Sequence, residues 1–230
     1  MAKIKICIDA GHYGKYNRSP VVKEYYESDM NWKLSQLLKK YLEQYGIKVT
    51  MTRSNQAKDL DLTSRGKKAK GCTLFLSIHS NACDTESVDY PVVYVPLNGT
   101  GDTIGKKLAD CIASTMGTKQ KGRTATRKGN HGDYYGVIRG AVSVGVPGLI
   151  LEHSFHTNAK ATKWLLNDSN LEKMAKAEAD VIAAHYGVKM PAKADSGKLY
   201  RVQVGAYSVK ANAEAMKKKL EAAGFDAIIV

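Results

Sequence analysis

Three side chains with catalytic potential each follow a short apolar run. His12 comes after Ile4-Lys5-Ile6-Cys7-Ile8, His79 after Thr73-Leu74-Phe75-Leu76-Ser77-Ile78, and Glu152 after Gly148-Leu149-Ile150-Leu151. A single histidine in such a place is commonly a hydrogen-bonded structural residue, but three polar residues at equivalent strand ends are poorly explained as independent accidents. In an open, largely parallel sheet, ligands bind outside the carboxyl ends of the strands, so side chains delivered there can converge. Two neutral imidazoles and one carboxylate make a three-ligand zinc site with a fourth position open for water, an arrangement suited to hydrolysis. Such a site also needs a separate base for the water, and the acids at hand are Glu24, Glu27 and Glu152. Spacing alone does not divide the roles among them.

The elements that must position these residues follow from periodicity. Ile4, Ile6 and Ile8 alternate as a half-buried strand, and Gly11 allows a tight bend before His12. From Asp29 to Tyr45, Met30, Leu34, Leu37, Leu38, Tyr41 and Leu42 recur at three- and four-residue spacing, and Gly46 ends this amphipathic helix. Ile47, Val49 and Met51 then alternate as a second strand, completing a strand-helix-strand crossover. Leu74 to Ile78 reads as a strand buried on both faces. Val92 to Val95 is a further strand, Thr103 to Met116 a helix, and Leu171 to Tyr186 the last helix before a break. Lys119 to Gly132 is basic and aperiodic, which predicts an exposed, solvated loop. The expected fold is α/β: a twisted, mostly parallel sheet flanked by helices, followed by a small C-terminal β-α-β module.

Composition sets the bounds. The chain has 230 residues, 43% of them hydrophobic, which is enough for a real core. Thirty-five Lys and Arg against 22 Asp and Glu give a net charge of +13, which favours an anionic partner. Nothing approaches the roughly 18 consecutive apolar residues of a membrane span. Lys3, Lys5 and Asp9 interrupt the apolar start before a signal-peptide core could form. Cys7, Cys72, Cys83 and Cys111 show no metal or redox spacing and read as reduced, structural thiols.

Four ordered segments carry a resemblance: Asp9-Ala10-Gly11-His12, Glu27-Ser28-Asp29-Met30-Asn31, Ser77-Ile78-His79-Ser80-Asn81-Ala82, and Glu152-His153-Ser154-Phe155-His156-Thr157-Asn158. Together they resemble the zinc-dependent N-acetylmuramoyl-L-alanine amidases, over roughly residues 3–187. The resemblance implies a Zn²⁺ cofactor held by His12, Glu27 and His79, with Glu152 catalytic. It implies peptidoglycan as substrate, cut between the lactyl group of N-acetylmuramic acid and L-alanine. Where the family commonly has Gly-His-Gly-Gly, this chain has Gly11-His12-Tyr13-Gly14, and its tyrosine-rich loop keeps Glu24 as an alternative ligand. His153 and His156 are expected to be non-ligand loop residues, and His131 and His185 to lie in a loop and on a helix surface. Arg139 matches an arginine often found ahead of the last strand in the family; it would position substrate, orient Glu152 or form a structural ion pair. Arg53 is read as structural.

Residues 1–187 are thus expected to form the catalytic domain, and 188–197, containing Pro191, a linker. In 198–230, Tyr200-Arg201-Val202-Gln203-Val204 and Asp226 to Val230 read as strands around a helix bearing Ala213, Met216, Leu220 and Ala223. This tail resembles the first half of a SPOR domain, a peptidoglycan-binding module of two β-α-β halves. Alone it is too small for a satisfactory core, so either the module is truncated here or two chains pair their halves as a homodimer. Anionic teichoic acids would attract the basic charge. A metal-dependent nuclease is a rival reading, but no nucleic-acid motif accompanies the charge, so nucleic acid is not an expected partner. A non-catalytic wall binder is the second rival. Without a visible signal peptide the chain resembles phage endolysins, made in the cytoplasm and acting on the bacterial wall.

Overall fold

The computed structural model describes residues 4–191 and 202–230. The chain divides into two compact units, Met1–Pro191 and Ala192–Val230. Most of the expected linker, and Tyr200 and Arg201 of the expected tail strand, lie outside the described residues.

The first unit runs β1 (Lys5–Ala10), α1 (Glu27–Gln44), β2 (Lys48–Met51), α2 (Leu62–Lys67), β3 (Leu74–Asn81), β4 (Val92–Tyr94) and α3 (Asp102–Met116). It continues with β5 (Arg123–Ala125), β6 (Lys128–Gly129), β7 (Gly132–Asp133), α4 (Gly136–Val142), β8 (Gly148–Phe155), α5 (Ala159–Leu166) and α6 (Asp168–His185). Six strands form one sheet in the order β2-β1-β3-β8-β4-β5, and β6 and β7 make a separate small hairpin. β1, β2, β3 and β8 are mutually parallel, β4 runs antiparallel to β8, and β5 lies parallel to β4.

Period two divides the core between the two faces of this sheet. Ile6, Ile8, Leu74, Leu76, Ile78, Leu149 and Leu151 pack with Leu34, Leu38 and Leu42 of α1 and with buried residues of α3 and α6. Each such leucine contributes about 1.5–3 kcal/mol on burial. Cys7, Phe75 and Ile150 point the other way, onto Val137, Ile138 and Ala141 of α4. Burial pushes the Cys7 thiol up to about 12, so it packs as an apolar group. Helices α2 and α4 approach closely through glycines: a Cβ on Gly66 would lie 2.1 Å from the Val137 carbonyl oxygen, and one on Gly140 2.2 Å from that of Thr63.

Several elements differ from the sequence expectation. β3 and β8 continue through His79 and Glu152, which are therefore inside strands instead of beyond their ends. The apolar pattern stops early because the last strand residues face a polar site. The stretch 119–132 is not simply a loop, since it supplies β5 to the main sheet and most of the β6–β7 hairpin. Strands of two or three residues are too short to show periodicity. α4, interrupted by the glycines that its packing requires, and α5 likewise escape the pattern. The last helix of the first unit starts at Asp168, where the Asn167 side chain accepts from the Asn170 amide.

In the second unit the described residues contain α7 (Lys210–Ala222). Residues 202–204 and 226–230, expected as strands, form none. A strand needs a neighbour to satisfy its backbone groups, and among the described residues these segments have none. Val202, Val204, Phe225, Ile228 and Val230 are exposed. Among the described residues no helix is long and apolar enough to cross a membrane.

Candidate metal and catalytic site

The carboxyl ends of β1 and β3 and the first turn of α1 bring His12, Glu27 and His79 together. Glu27 is the first residue of α1 and only 1% exposed. Its Oε2 lies 3.1 Å from His12 Nε2 and its Oε1 2.8 Å from His79 Nδ1. One ligand atom from each residue falls within 4.8 Å of the other two. The Ser80 amide donates to Glu27 Oε1 at 3.1 Å, and the Asn17 side-chain amide donates to Oε2. Burial alone would push the Glu27 carboxyl up. Hydrogen bonds and charge from His12 and His79 outweigh it and hold the group well below the usual carboxylate range. An anionic oxygen between two imidazoles is a donor set that fits a divalent transition metal.

Local structure explains why these three meet. Gly11 donates its amide to the Ile78 carbonyl at 3.1 Å, and a Cβ there would lie 2.2 Å from His79 Cε1, so only glycine lets the ring in. His12 follows with φ of 57°, a left-handed turn that swings it over the sheet end. The first turn of α1 ties the loop down. Ser28 Oγ accepts from the Tyr16 amide at 2.9 Å and donates to the Gly14 carbonyl at 2.8 Å, and Asn31 Nδ2 donates to the Gly11 carbonyl at 3.2 Å. The Tyr16 ring stacks on His12 with centroids 5.1 Å apart.

Glu152 stands beside His79 on the adjacent strand, its direct partner in the β3–β8 register. Burial, and then the negative charge of Glu27, push its carboxyl well above the usual range. Its Oε2 is buried with no hydrogen-bond partner among the described residues. A buried carboxyl oxygen without a donor is costly to keep, and beside a metal-type donor set it points to a group that holds or passes a proton.

The remaining expectations sort as follows. Glu24 is exposed and outside the cluster, so the structure brings Glu27, not Glu24, to the histidines. Neither His153 nor His156 joins the group, and the expectation of a loop residue holds for His156 but needs correction for His153. His153 is inside β8, fully buried, with Nε2 2.8 Å from Glu178 Oε1 on α6. His156 is buried just beyond β8, its Nδ1 3.0 Å from Ser80 and its ring stacked on Tyr25. His131 is exposed in the hairpin turn, and His185 ends α6 against Tyr186. Arg139 donates through Nη1 to the carbonyls of Asp133 and Tyr134 at 2.7 and 2.8 Å. It pins the backbone entering α4 instead of pairing with an acid. Arg53, read as merely structural, is buried and donates to the Ala10 carbonyl at 2.7 Å and that of Gln56 at 2.8 Å, bracing the turn that presents His12. Sequence reasoning overlooked Ser28, Asn31 and Ser80, whose one visible signal was membership of the quoted segments.

Residues 6–184 match the family described as N-acetylmuramoyl-L-alanine amidase, which spans β1 to almost the end of α6. The chain belongs to this amidase family. A second match, to the SPOR domain, covers residues 169–230. The sporulation-specific N-acetylmuramoyl-L-alanine amidase of Bacillus subtilis is 28% identical over 233 residues, covering 99% of this chain and 84% of that protein. The N-acetylmuramoyl-L-alanine amidase CwlM of Bacillus licheniformis is 26% identical, covering 99% of this chain and 85% of that one. Among solved structures, the catalytic domain of the amidase CwlV from Bacillus (Paenibacillus) polymyxa var. colistinus superposes with a TM-score of 0.66 at 24% identity, over 81% of this chain and 99% of that one. The α/β sheet with its flanking helices is therefore the fold of an amidase catalytic domain.

Proposed function

We propose that the chain is a peptidoglycan hydrolase that cleaves the amide between N-acetylmuramic acid and L-alanine. His12, Glu27 and His79 hold zinc in this reading, and Glu152 is the acid-base residue. The observation that carries it is the pairing of a compact His-Glu-His donor set with a carboxyl on the adjacent strand whose Oε2 is buried and unpartnered among the described residues. Zinc bound there would lower the pKa of a water to about 7 and polarise the amide carbonyl.

The chain's own residues do the rest. His12 and His79 offer ring nitrogens as ligands, and Glu27 stays anionic because both rings face it. Glu152 takes a proton from the attacking water on a carboxylate oxygen. The water oxygen joins the carbonyl carbon, the C–N bond breaks, and Glu152 returns the proton to the departing alanine nitrogen. A carboxyl whose pKa is raised by burial suits this double duty, because it holds the proton between the two transfers.

A wall-active enzyme also accounts for the +13 charge through anionic wall polymers, and residues 198–230 would serve as a wall-binding or dimerisation module. The apolar residues exposed around α7 support such a role, and a monomeric mass in light scattering at micromolar concentration would count against the dimer. The curated relatives are named as amidases of two Bacillus species, so they lend the phage endolysin origin no support. Digestion of purified cell walls tests the central reading. New N-terminal alanine with intact glycan, together with zinc in the purified protein, is the expected result. Sedimentation with walls and no release would make the chain a binder, and nucleotide release from DNA a nuclease.

A further inference from the structure

β3 and β8 stay in register from Phe75–Gly148 to His79–Glu152 and then slip, so that Asn81 faces Phe155. Two residues of β8, His153 and Ser154, therefore oppose Ser80 alone. This is a β-bulge set immediately after the two site residues on these strands. Ser154 takes the left-handed conformation, with φ of 59°, and its Oγ donates to Asp89 Oδ1 at 2.8 Å. A bulge leaves ladder groups without their usual partners, and here a side chain fills the gap. His153 Nδ1–H donates to the His79 carbonyl at 3.0 Å. A carbonyl only accepts, so the proton on Nδ1 is fixed. The other ring nitrogen faces Glu178 on α6, and both side chains are fully buried.

A buried His–Glu pair is weak evidence for stability as such, since apolar replacements of similar volume often do as well. Its location gives it another use. The ring reaches from the residue after Glu152 to the backbone of His79, while Glu178 anchors it from the helix layer. We propose that His153, anchored by Glu178, is a positioning residue: it bridges the bulge and fixes the two strand segments that carry His79 and Glu152. This rests on the zinc-amidase reading above. Loss of the bridge frees the His79 carbonyl and lets β3 and β8 shift against each other, and a displacement of about 1 Å at reacting groups can cost about 100-fold in rate.

The test compares full-length H153L and H153N by zinc affinity in chelator competition, by kcat and KM on soluble wall fragments, and by Tm. Asn places a side-chain N–H close to where Nδ1–H stands but cannot reach Glu178, and Leu supplies no donor. Both variants lose the Glu178 contact and should fall in Tm, H153L further because it also leaves the His79 carbonyl unpaired. In H153L, zinc affinity and kcat should drop about 10- to 100-fold, as when partners of a metal ligand are removed. H153N should recover most of that loss, with KM unchanged. Wild-type zinc affinity and kcat in H153L, or an H153N no better than H153L, overturns the proposal. If H153L does not fold, E178Q, which keeps an acceptor for Nε2–H, is compared with E178L, which does not. Higher kcat and zinc affinity in E178Q support the bridge, and equal values overturn it. Wild-type protein that neither binds zinc nor releases N-terminal alanine defeats the underlying amidase reading and the proposal with it.

Discussion

Replacing Glu152 by Gln should abolish turnover and also change how stability depends on pH, because both effects come from the same burial. Loss of an acid-base group costs about 10²- to 10⁴-fold in rate. For stability, the folded-state pKa of Glu152 lies well above its ordinary value of 4.5, raised by burial and by Glu27. Below the unfolded pKa both states hold the proton and the group is neutral in the balance. As pH rises beyond it, the unfolded chain releases the proton while the folded one keeps it, so the folded state loses stability until pH passes the folded pKa. The maximal slope is about 1.4 kcal/mol per pH unit. For a domain of this size, 1 kcal/mol moves Tm by about 2–4 °C, so the E152Q minus wild-type difference should widen by at most about 3–6 °C per pH unit. The buried Gln amide adds an offset of about 1–3 kcal/mol, but that term does not vary with pH. Melts of chelator-treated proteins between about pH 5 and 8 read the slope directly. Parallel Tm curves would refute the claim that its surroundings raise the Glu152 pKa, and retained activity would remove it from the mechanism.

Glu27→Gln should sharply weaken zinc binding in calorimetry, whereas Glu24→Gln, at an exposed position, should leave it unchanged; the reverse pattern would reassign the ligand. Gly11→Ala should cost about 1–3 kcal/mol by overpacking, and zinc affinity with it. The added Cβ would stand 2.2 Å from His79 Cε1 and 2.7 Å from the immovable Ile78 carbonyl, so normal melting and zinc uptake would contradict the packing described. Zinc added to stripped protein at 100 times its Kd should stabilise by about 2.7 kcal/mol, raising Tm by roughly 5–10 °C. An unchanged melt would take the metal out of the site.

The inner strands were legible because burial on both faces writes itself as continuous apolar runs, as in Leu74 to Ile78. The same rule made those strands look too short, since His79 and Glu152 extend the ladder with polar side chains that the site requires. The choice between Glu27 and Glu24 lies in a loop whose path depends on Ser28, Asn31 and Asn17, contacts that no spacing encodes. His153 was illegible for a related reason. A bulge shifts the register by one residue, so a position that reads as loop becomes the bridge between two strands.

The two carboxylates also show why residue type alone could not assign roles. Glu27 and Glu152 have equal intrinsic acidity and sit at one site, yet their surroundings drive them apart. Glu27 receives a backbone amide, a side-chain amide and two imidazoles and is held well below the usual range. Glu152 Oε2 receives no donor among the described residues and, close to that negative charge, is pushed well above it. Where paired acids are split in this way, the low one suits charge stabilisation or ligation and the high one suits proton transfer. The division therefore depends on the donors around Glu27 as much as on the glutamates. Removing either histidine should raise the Glu27 pKa, because it takes away a hydrogen bond and a charge that offset burial, while burial, the first cause of the Glu152 shift, is left in place.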